Sequence, residues 1–161
     1  MEKEKALQRY IHSQQSVKAI LANIPEDRII TTTVEGAWTV KELLCHLIGW
    51  DQSLLEPLKA FVEKGDFPVS VFHDHDAYNA SQTASRVGMS LEIVSQELEQ
   101  SSQALLDLVA SLDHDQCLET FPAPWGGEAT IPAMLAGLAW HVDEHLKHVN
   151  AAFNLSPEKK S

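Results

Sequence analysis

The chain has 161 residues, of which 44% are hydrophobic and 22% charged, and its formal net charge is -11. This size and composition are typical of one globular domain that buries about two thirds of the surface of the unfolded chain. No apolar run approaches the ~20 residues that a membrane-spanning helix needs. A strongly acidic chain also repels the phosphates of nucleic acids and anionic membranes. We therefore expect neither nucleic acid nor membrane as a partner.

Two further features predict a cytoplasmic protein. The N-terminal segment carries charges where a signal peptide would have its apolar region, in the letters MEKEKALQRY. The two cysteines, Cys45 and Cys117, are too few and too far apart for a disulfide framework. We expect both to be reduced thiols, and Cys45 to be buried and inert.

The first predicted helix runs from the N-terminus to about Ile24, where Pro25 is placed to stop it. Its apolar residues follow the 3.6-residue helical period at Leu7, Tyr10, Ile11, Val17, Leu21 and Ile24. The next segment contains β-branched residues and a glycine without a helical period, in the letters EDRIITTTVEGAW. We expect a connection there, with extended backbone as one option.

The second predicted helix has a well-defined start near Val40. Thr39 and Glu42 have the spacing of a capping box, and Trp38 and Leu43 have the spacing of a hydrophobic staple. An apolar stripe follows at Leu43, Leu47, Trp50, Leu54, Leu58 and Phe61, and His46 lies on this core-facing side. Pro57 is expected to kink the helix or to end its regular part.

A long crossover is predicted between residues 65 and 88, with a short helix after Asp76. It contains two histidines and two aspartates in alternation, at His73, Asp74, His75 and Asp76. These residues are potential metal ligands, but a solvated acidic loop is the favoured interpretation because alternating ligands on a loop have no fixed geometry.

A third long helix is predicted from Ser90 to about Leu112, with Met89 and Val94 at staple positions. The segment that follows is rich in Pro, Gly and Asp, which predicts turns, a short helix around 115–118 and an irregular loop. Thr130 is a predicted N-cap for the last helix, and Pro132 is tolerated in its first turn.

The last helix places two histidines on its apolar stripe. His141 and His145 are four residues apart, so both rings point the same way and can reach one metal ion. The glutamate of the zinc-protease HExxH motif is missing, which argues against a peptidase. An unpaired buried polar group costs roughly 1 to 3 kcal/mol, so the two imidazoles need either a shared metal ion or neighbouring polar groups as partners.

Four amphipathic helices predict an all-α fold, a four-helix bundle with a long crossover between the second and third main helices. We expect one domain over residues 1–155 and a disordered tail over 156–161. In such a bundle His46 can converge with the pair on the last helix, and bundles commonly build metal sites from facing helices.

Two segments resemble the DinB-like superfamily, also called the YfiT-like metal-dependent hydrolases: WTVKELLCHL at 38–47 and HVDEH at 141–145. The resemblance implies an up-down-down-up bundle, often a homodimer. It also implies a divalent ion, typically nickel or zinc, held by His46, His141 and His145. His148, one turn beyond His145, is a candidate fourth contact at the surface edge.

Some relatives in this superfamily are similar to S-transferases and isomerases that use bacillithiol, mycothiol or glutathione. The preferred hypothesis is therefore a thiol-dependent S-transferase acting on an electrophilic small molecule. Trp50, Asp51, Trp140 and Glu144 are candidate pocket residues, and the two carboxylates are also candidates for orienting a ligand imidazole. The alternatives are a hydrolase that activates water on the metal ion and a non-catalytic bundle that binds metal or ligand.

Overall fold

A computed structural model describes residues 1–69 and 71–155. Over these residues the chain forms six helices and two β-hairpins. The helices are α1 (Lys3–Ala22), α2 (Glu26–Thr31), α3 (Val40–Lys64), α4 (His75–Ala84), α5 (Leu91–Ser111) and α6 (Ile131–Ala152). The strands are β1 (Thr33–Glu35) paired with β2 (Trp38–Thr39), and β3 (Thr120–Pro122) paired with β4 (Glu128–Thr130). The tail expected at 156–161 lies outside the described residues.

The four long helices form the predicted bundle. Helix α1 packs against α5 and α6, and α3 packs against the same two helices, so α1 and α3 lie diagonally opposite. Lys3 on α1 donates to the Leu112 carbonyl just beyond the end of α5, whereas Lys18 near the end of α1 pairs with Glu99. Helices α1 and α5 are therefore antiparallel.

The apolar core gives the directions of the other two helices. One cluster joins the start of α1 to the second half of α3 and to the start of α6, through Ala6, Leu58 and Ile131. A second cluster joins the later part of α1 to the start of α3 and to the later part of α6, through Val17 and other residues. Helix α6 thus runs parallel to α1, and α3 runs opposite to both. This confirms the up-down-down-up topology.

Side-chain caps set the starts of three long helices where the sequence predicted them. Thr39 N donates to Glu42 Oε2 at 2.7 Å, and Glu42 N donates to Thr39 Oγ1 at 3.4 Å, which completes the capping box. Ser90 and Thr130 accept hydrogen bonds from Ile93 N and Ala133 N in the first turns of α5 and α6. Trp38 and Leu43 belong to the same core cluster, consistent with the predicted staple.

The structure refines three local expectations. Helix α3 does not end at the buried Pro57 but continues to Lys64, and its C-cap is Gly65, whose φ of +74° suits a residue without a Cβ. The connection after Pro25 has the extended backbone that was one option, in strand β1, but it also contains the short helix α2, which was not expected. Residues 114–118 form turns rather than a helix, and the expected irregular loop is the β3–β4 hairpin. Short elements of this kind are fixed by tertiary contacts rather than by sequence period.

None of the described helices combines the length and the apolar character needed to cross a membrane.

Candidate metal centre

Three histidine rings from two helices meet at one point inside the bundle. The Nε2 atom of His46 on α3 lies 3.0 Å from the Nε2 of His141 and 3.0 Å from the Nε2 of His145, both on α6. The two α6 nitrogens are 2.8 Å apart. The structure therefore brings together the three residues that the sequence singled out.

Local structure explains why these rings meet. The capping box at Thr39 fixes the start of α3, and His46 lies two turns later on the face that packs against α6. His141 and His145 are one turn apart and so share a face of α6. The Trp38 ring, at the end of the β1–β2 hairpin, packs 4.8 Å from the His46 ring and limits its orientation.

The opposite ring nitrogens of two of these histidines are held by side chains from outside the bundle helices. His46 Nδ1 lies 3.0 Å from Asn79 Oδ1 on α4, and His145 Nδ1 lies 2.6 Å from Glu35 Oε2 on β1. Trp50 Nε1, which can only donate, also bonds Asn79 Oδ1 at 2.9 Å. The amide oxygen of Asn79 therefore faces both rings and accepts from both.

These partners determine the tautomers of the two rings. Carboxylate and amide oxygens accept hydrogen bonds, so Nδ1 carries the proton in both His46 and His145. Their Nε2 atoms then present bare lone pairs to each other at 3.0 Å. Such an arrangement is unfavourable unless a metal ion or a shared proton lies between the nitrogens.

A divalent ion fits this arrangement. Imidazole nitrogens bind zinc at about 2.0 to 2.1 Å, so two of them on one ion lie at most ~4 Å apart. All three Nε2 separations satisfy this limit. Among the described residues, these three histidines form the group of potential ligand atoms that converges within 4.8 Å.

Burial keeps two of the rings, those of His46 and His141, in the neutral form that metal binding requires. Desolvation, followed by the neighbouring histidines, lowers the pKa of His46 to about 3. Desolvation, followed by His145, lowers the pKa of His141 to about 4. At neutral pH both rings are therefore uncharged and their nitrogens are available as ligands.

An aromatic wall of Trp50, Phe72, Tyr78 and Trp125 adjoins the centre through Trp50. The Trp50 ring lies 6.2 Å from the His141 ring and contacts the other three, at 5.1 to 6.4 Å. Trp125 packs over Gly137, where a Cβ would lie 3.2 Å from its ring. Because Gly137 precedes His141 by one turn, the wall lies along α6 beside the histidines.

Of the four candidate pocket residues, only Trp50 lies next to the centre. Asp51 is buried on the α5 side and accepts hydrogen bonds from Ser102 at 3.2 Å and Ser101 at 3.5 Å. Trp140 is 58% exposed, and Glu144 pairs with Lys147 at the surface. The positions next to the ligand rings that were considered for Asp51 and Glu144 are occupied by Asn79 and Glu35.

Other candidate ligands lie outside the centre. Asp74 caps α4 by accepting from Ala77 N at 2.9 Å, and His73, His75 and His148 are exposed. Cys45 is buried at 2% exposure, and burial raises the pKa of its thiol, which agrees with the expected inert thiol.

Sequence reasoning missed Glu35 and Asn79. Glu35 belongs to a three-residue strand and Asn79 to a helix without a buried residue, so neither lies on an apolar stripe. One local signal concerns Glu35. Gly36, which follows it, has a φ of +55° and allows the tight turn that places Glu35 opposite Trp38.

Known proteins resemble the chain along nearly its whole length. A relative from Oceanobacillus iheyensis, whose name proposes a metal-dependent hydrolase, is 23% identical over 132 residues, covering 82% of this chain and 74% of that protein. The structure of YfiT from Bacillus subtilis, described as a metal-dependent hydrolase candidate with an unusual four-helix bundle topology, matches with a TM-score of 0.73 at 17% identity. That match covers 95% of this chain and 86% of YfiT.

Two further structures share the fold. The mycothiol-dependent maleylpyruvate isomerase matches with a TM-score of 0.74 at 13% identity, over 98% of this chain and 62% of the isomerase. The colibactin self-resistance protein ClbS, in complex with double-stranded DNA, matches with a TM-score of 0.78 at 16% identity, over 96% and 97% of the two chains.

The ClbS complex corrects the expectation that nucleic acid is excluded as a partner. That expectation came from the net charge of -11, which is a sum over the whole chain. A protein of this fold does occur on double-stranded DNA, so the exclusion was wrong as a general inference. Binding depends on where the charges lie on the surface rather than on their sum.

The family model of the DinB superfamily matches residues 9–149, a span that contains all three clustered histidines. The chain therefore belongs to the DinB superfamily.

Proposed function

We propose that this protein is a metal-dependent enzyme in which His46, His141 and His145 hold one divalent ion, nickel or zinc. The observation that carries the proposal is the pair of bare Nε2 lone pairs facing each other at 3.0 Å, with a third Nε2 within 3.0 Å of both. A cation removes the repulsion between them. The name of the Oceanobacillus relative supports the same chemistry.

The histidines and the aromatic residues have separate roles in this proposal. The three imidazoles act as neutral donors, and three protein ligands leave coordination positions open, as in catalytic rather than structural sites. When bound, a divalent ion supplies Lewis-acid activation, which lowers the pKa of a coordinated thiol or water so that a nucleophile forms near neutral pH. The aromatic wall excludes water along one side of the centre and offers apolar surface to a small molecule.

We further propose that the nucleophile is a low-molecular-weight thiol and that the reaction is its transfer to an electrophilic small molecule. The support is the shared fold of the mycothiol-dependent isomerase. The thiol loses its proton to solvent, and its sulfur forms a bond to an electrophilic carbon. In a substitution the leaving group departs with the electron pair of the broken bond; in an addition that pair moves onto the substrate, which takes up a proton from solvent. We place this reaction in the cytoplasm, where low-molecular-weight thiols are kept reduced.

Metal-assisted hydrolysis is the second candidate, favoured by the hydrolase descriptions of the Oceanobacillus relative and of YfiT. It uses the same three ligands, with water in place of the thiol. The two candidates differ in one requirement, since a hydrolase cleaves an ester or lactone without added thiol.

The test compares the untagged protein with His46→Ala and with His148→Ala, an exposed histidine of α6 that serves as a control. Wild type and His148→Ala are expected to bind about one equivalent of zinc or nickel, and His46→Ala is expected to lose most of it. The metal-loaded protein is then mixed with a generic electrophile with and without bacillithiol, mycothiol or glutathione. A thiol conjugate supports the transferase, and cleavage of an ester without thiol supports the hydrolase. If all three proteins lack metal, both metal-dependent candidates are refuted, and a non-catalytic bundle that binds another ligand is favoured.

A further inference from the structure

We propose that Glu35 is the positioning residue of the metal centre and that it forms a carboxylate–histidine–metal relay through His145. This inference rests on the proposed metal site. It assigns a role to the β1–β2 hairpin, an element outside the four-helix bundle. Metal-binding histidines commonly donate their second N–H to a carboxylate, which fixes the ring and strengthens it as a ligand.

The hydrogen bond between Glu35 and His145 has the geometry that this role requires. Glu35 Oε2 lies 2.6 Å from His145 Nδ1, and the His145 side chain is only 13% exposed. A distance this short is typical of a charge-assisted hydrogen bond. Because Nδ1 donates to the carboxylate, the lone pair of Nε2 is directed at the other two histidines.

The hairpin itself is positioned to hold both ligand-bearing helices. Glu35 and Trp38 are cross-strand partners, and the turn between them is tight because Gly36 has a φ of +55°. Strand β1 packs against α6, and the Trp38 ring lies 4.8 Å from the His46 ring on α3. One short hairpin therefore orients His145 through a hydrogen bond and His46 through ring packing.

The partner of His46 provides a contrast within the same site. Asn79 Oδ1 accepts from His46 Nδ1 at 3.0 Å and is shared with Trp50, so it fixes the ring without adding charge. Glu35 adds a negative charge beside His145. We therefore expect Glu35 to contribute to metal affinity in two separable ways, by orienting the ring and by making it a stronger donor.

Two substitutions separate these contributions. Glu35→Gln keeps an oxygen acceptor and removes the charge, whereas Glu35→Ala removes both. Glu128→Gln is the control for the loss of a strand carboxylate, because Glu128 is an exposed glutamate in strand β4 of the other hairpin. Zinc affinity of the full-length chain is measured by competition with a chromophoric chelator, and the Co²⁺-loaded protein is examined by visible absorption.

We expect Glu35→Ala to weaken zinc binding by about 10- to 100-fold, the range found when such outer partners are removed. Glu35→Gln should give a smaller loss with a shifted Co²⁺ spectrum, and Glu128→Gln should match wild type in both measurements. The four metal-free proteins should have similar thermal unfolding temperatures. If Glu35 had a purely structural role in the hairpin, its substitution would instead lower the unfolding temperature.

The inference is overturned if Glu35→Ala binds zinc as wild type does, or if its affinity falls only together with the stability of the metal-free protein. Failure of the proposed function would give different results. If the proposed metal site is wrong, wild type itself would bind no metal, or His46→Ala would bind metal as tightly as wild type.

Discussion

Asp51 provides a test of the bundle interior that does not depend on metal. Its carboxyl group is buried between α3 and α5 at 2% exposure, with Ser101 and Ser102 as hydrogen-bond donors. Desolvation raises the pKa of Asp51 from its ordinary 3.8 to about 7, although hydrogen bonds from Tyr10, Ser102 and Ser101 oppose the shift. Between these two pKa values, Asp51 therefore keeps its proton in the folded state and loses it in the unfolded state.

The sign of the effect follows from proton linkage. Between about pH 4 and pH 7 the folded state binds more protons than the unfolded state, so the free energy of unfolding falls as pH rises. The difference between the ordinary pKa of 3.8 and the folded pKa of about 7 corresponds to roughly 4 kcal/mol in the free energy of unfolding, because each pKa unit is worth about 1.36 kcal/mol. This contribution is fully present below the unfolded pKa and is lost as pH rises through the folded pKa.

Asp51→Asn removes the titrating group and keeps its shape. We expect the stability of the variant relative to metal-free wild type to increase from pH 4 to pH 8 by up to ~4 kcal/mol. Urea unfolding at several pH values measures this difference, and other titrating groups cancel because both proteins contain them. Asp107→Asn, at an exposed position on α5, is the control and should give a difference that hardly depends on pH. A pH-independent difference for Asp51→Asn would refute the assigned titration.

Three further substitutions test how the site is supported. Arg86→Ala should destabilise the fold by about 1 to 3 kcal/mol in urea unfolding, because it removes the two hydrogen bonds that Arg86 donates to Glu97 at 2.9 and 2.8 Å; a loss below ~0.5 kcal/mol would contradict this. Gly49→Ala places a Cβ 2.3 Å from Gln82 Cγ, so the Gln82 side chain or α4 itself must move, and we expect a cost of about 1 to 3 kcal/mol and weaker zinc binding. Thr39→Ala removes the α3 cap and should cost about 0.5 to 2 kcal/mol with the folded secondary structure retained by circular dichroism.

The bundle and the three-histidine cluster could be predicted because each depends on local pattern. The capping box at Thr39 fixed where α3 starts, and this start put His46 on the apolar stripe. The four-residue spacing put His141 and His145 on one face of α6. Stripes on four helices must face one core, so the three histidines on those stripes were expected near one another.

The outer partners of the histidines could not be predicted in the same way. Glu35 is separated from His145 by 110 residues and Asn79 from His46 by 33. Neither residue lies in a periodic pattern, and each reaches its histidine from an element outside the four long helices. Asp51, by contrast, was considered as a partner of a ligand ring and instead faces α5, because its place on α3 turns it toward Ser101 and Ser102.

The sequence by itself determined the four long helices, the capped starts of three of them and which helix faces carry the three clustered histidines, because caps and apolar periods are local properties of the chain. Only the tertiary structure decided which ring nitrogens face inward. That choice depends on the hydrogen bonds that His145 and His46 donate to Glu35 and Asn79, and on burial that keeps His46 and His141 neutral. These are contacts between distant segments, and they exist only once the hairpin and α4 have packed against the bundle.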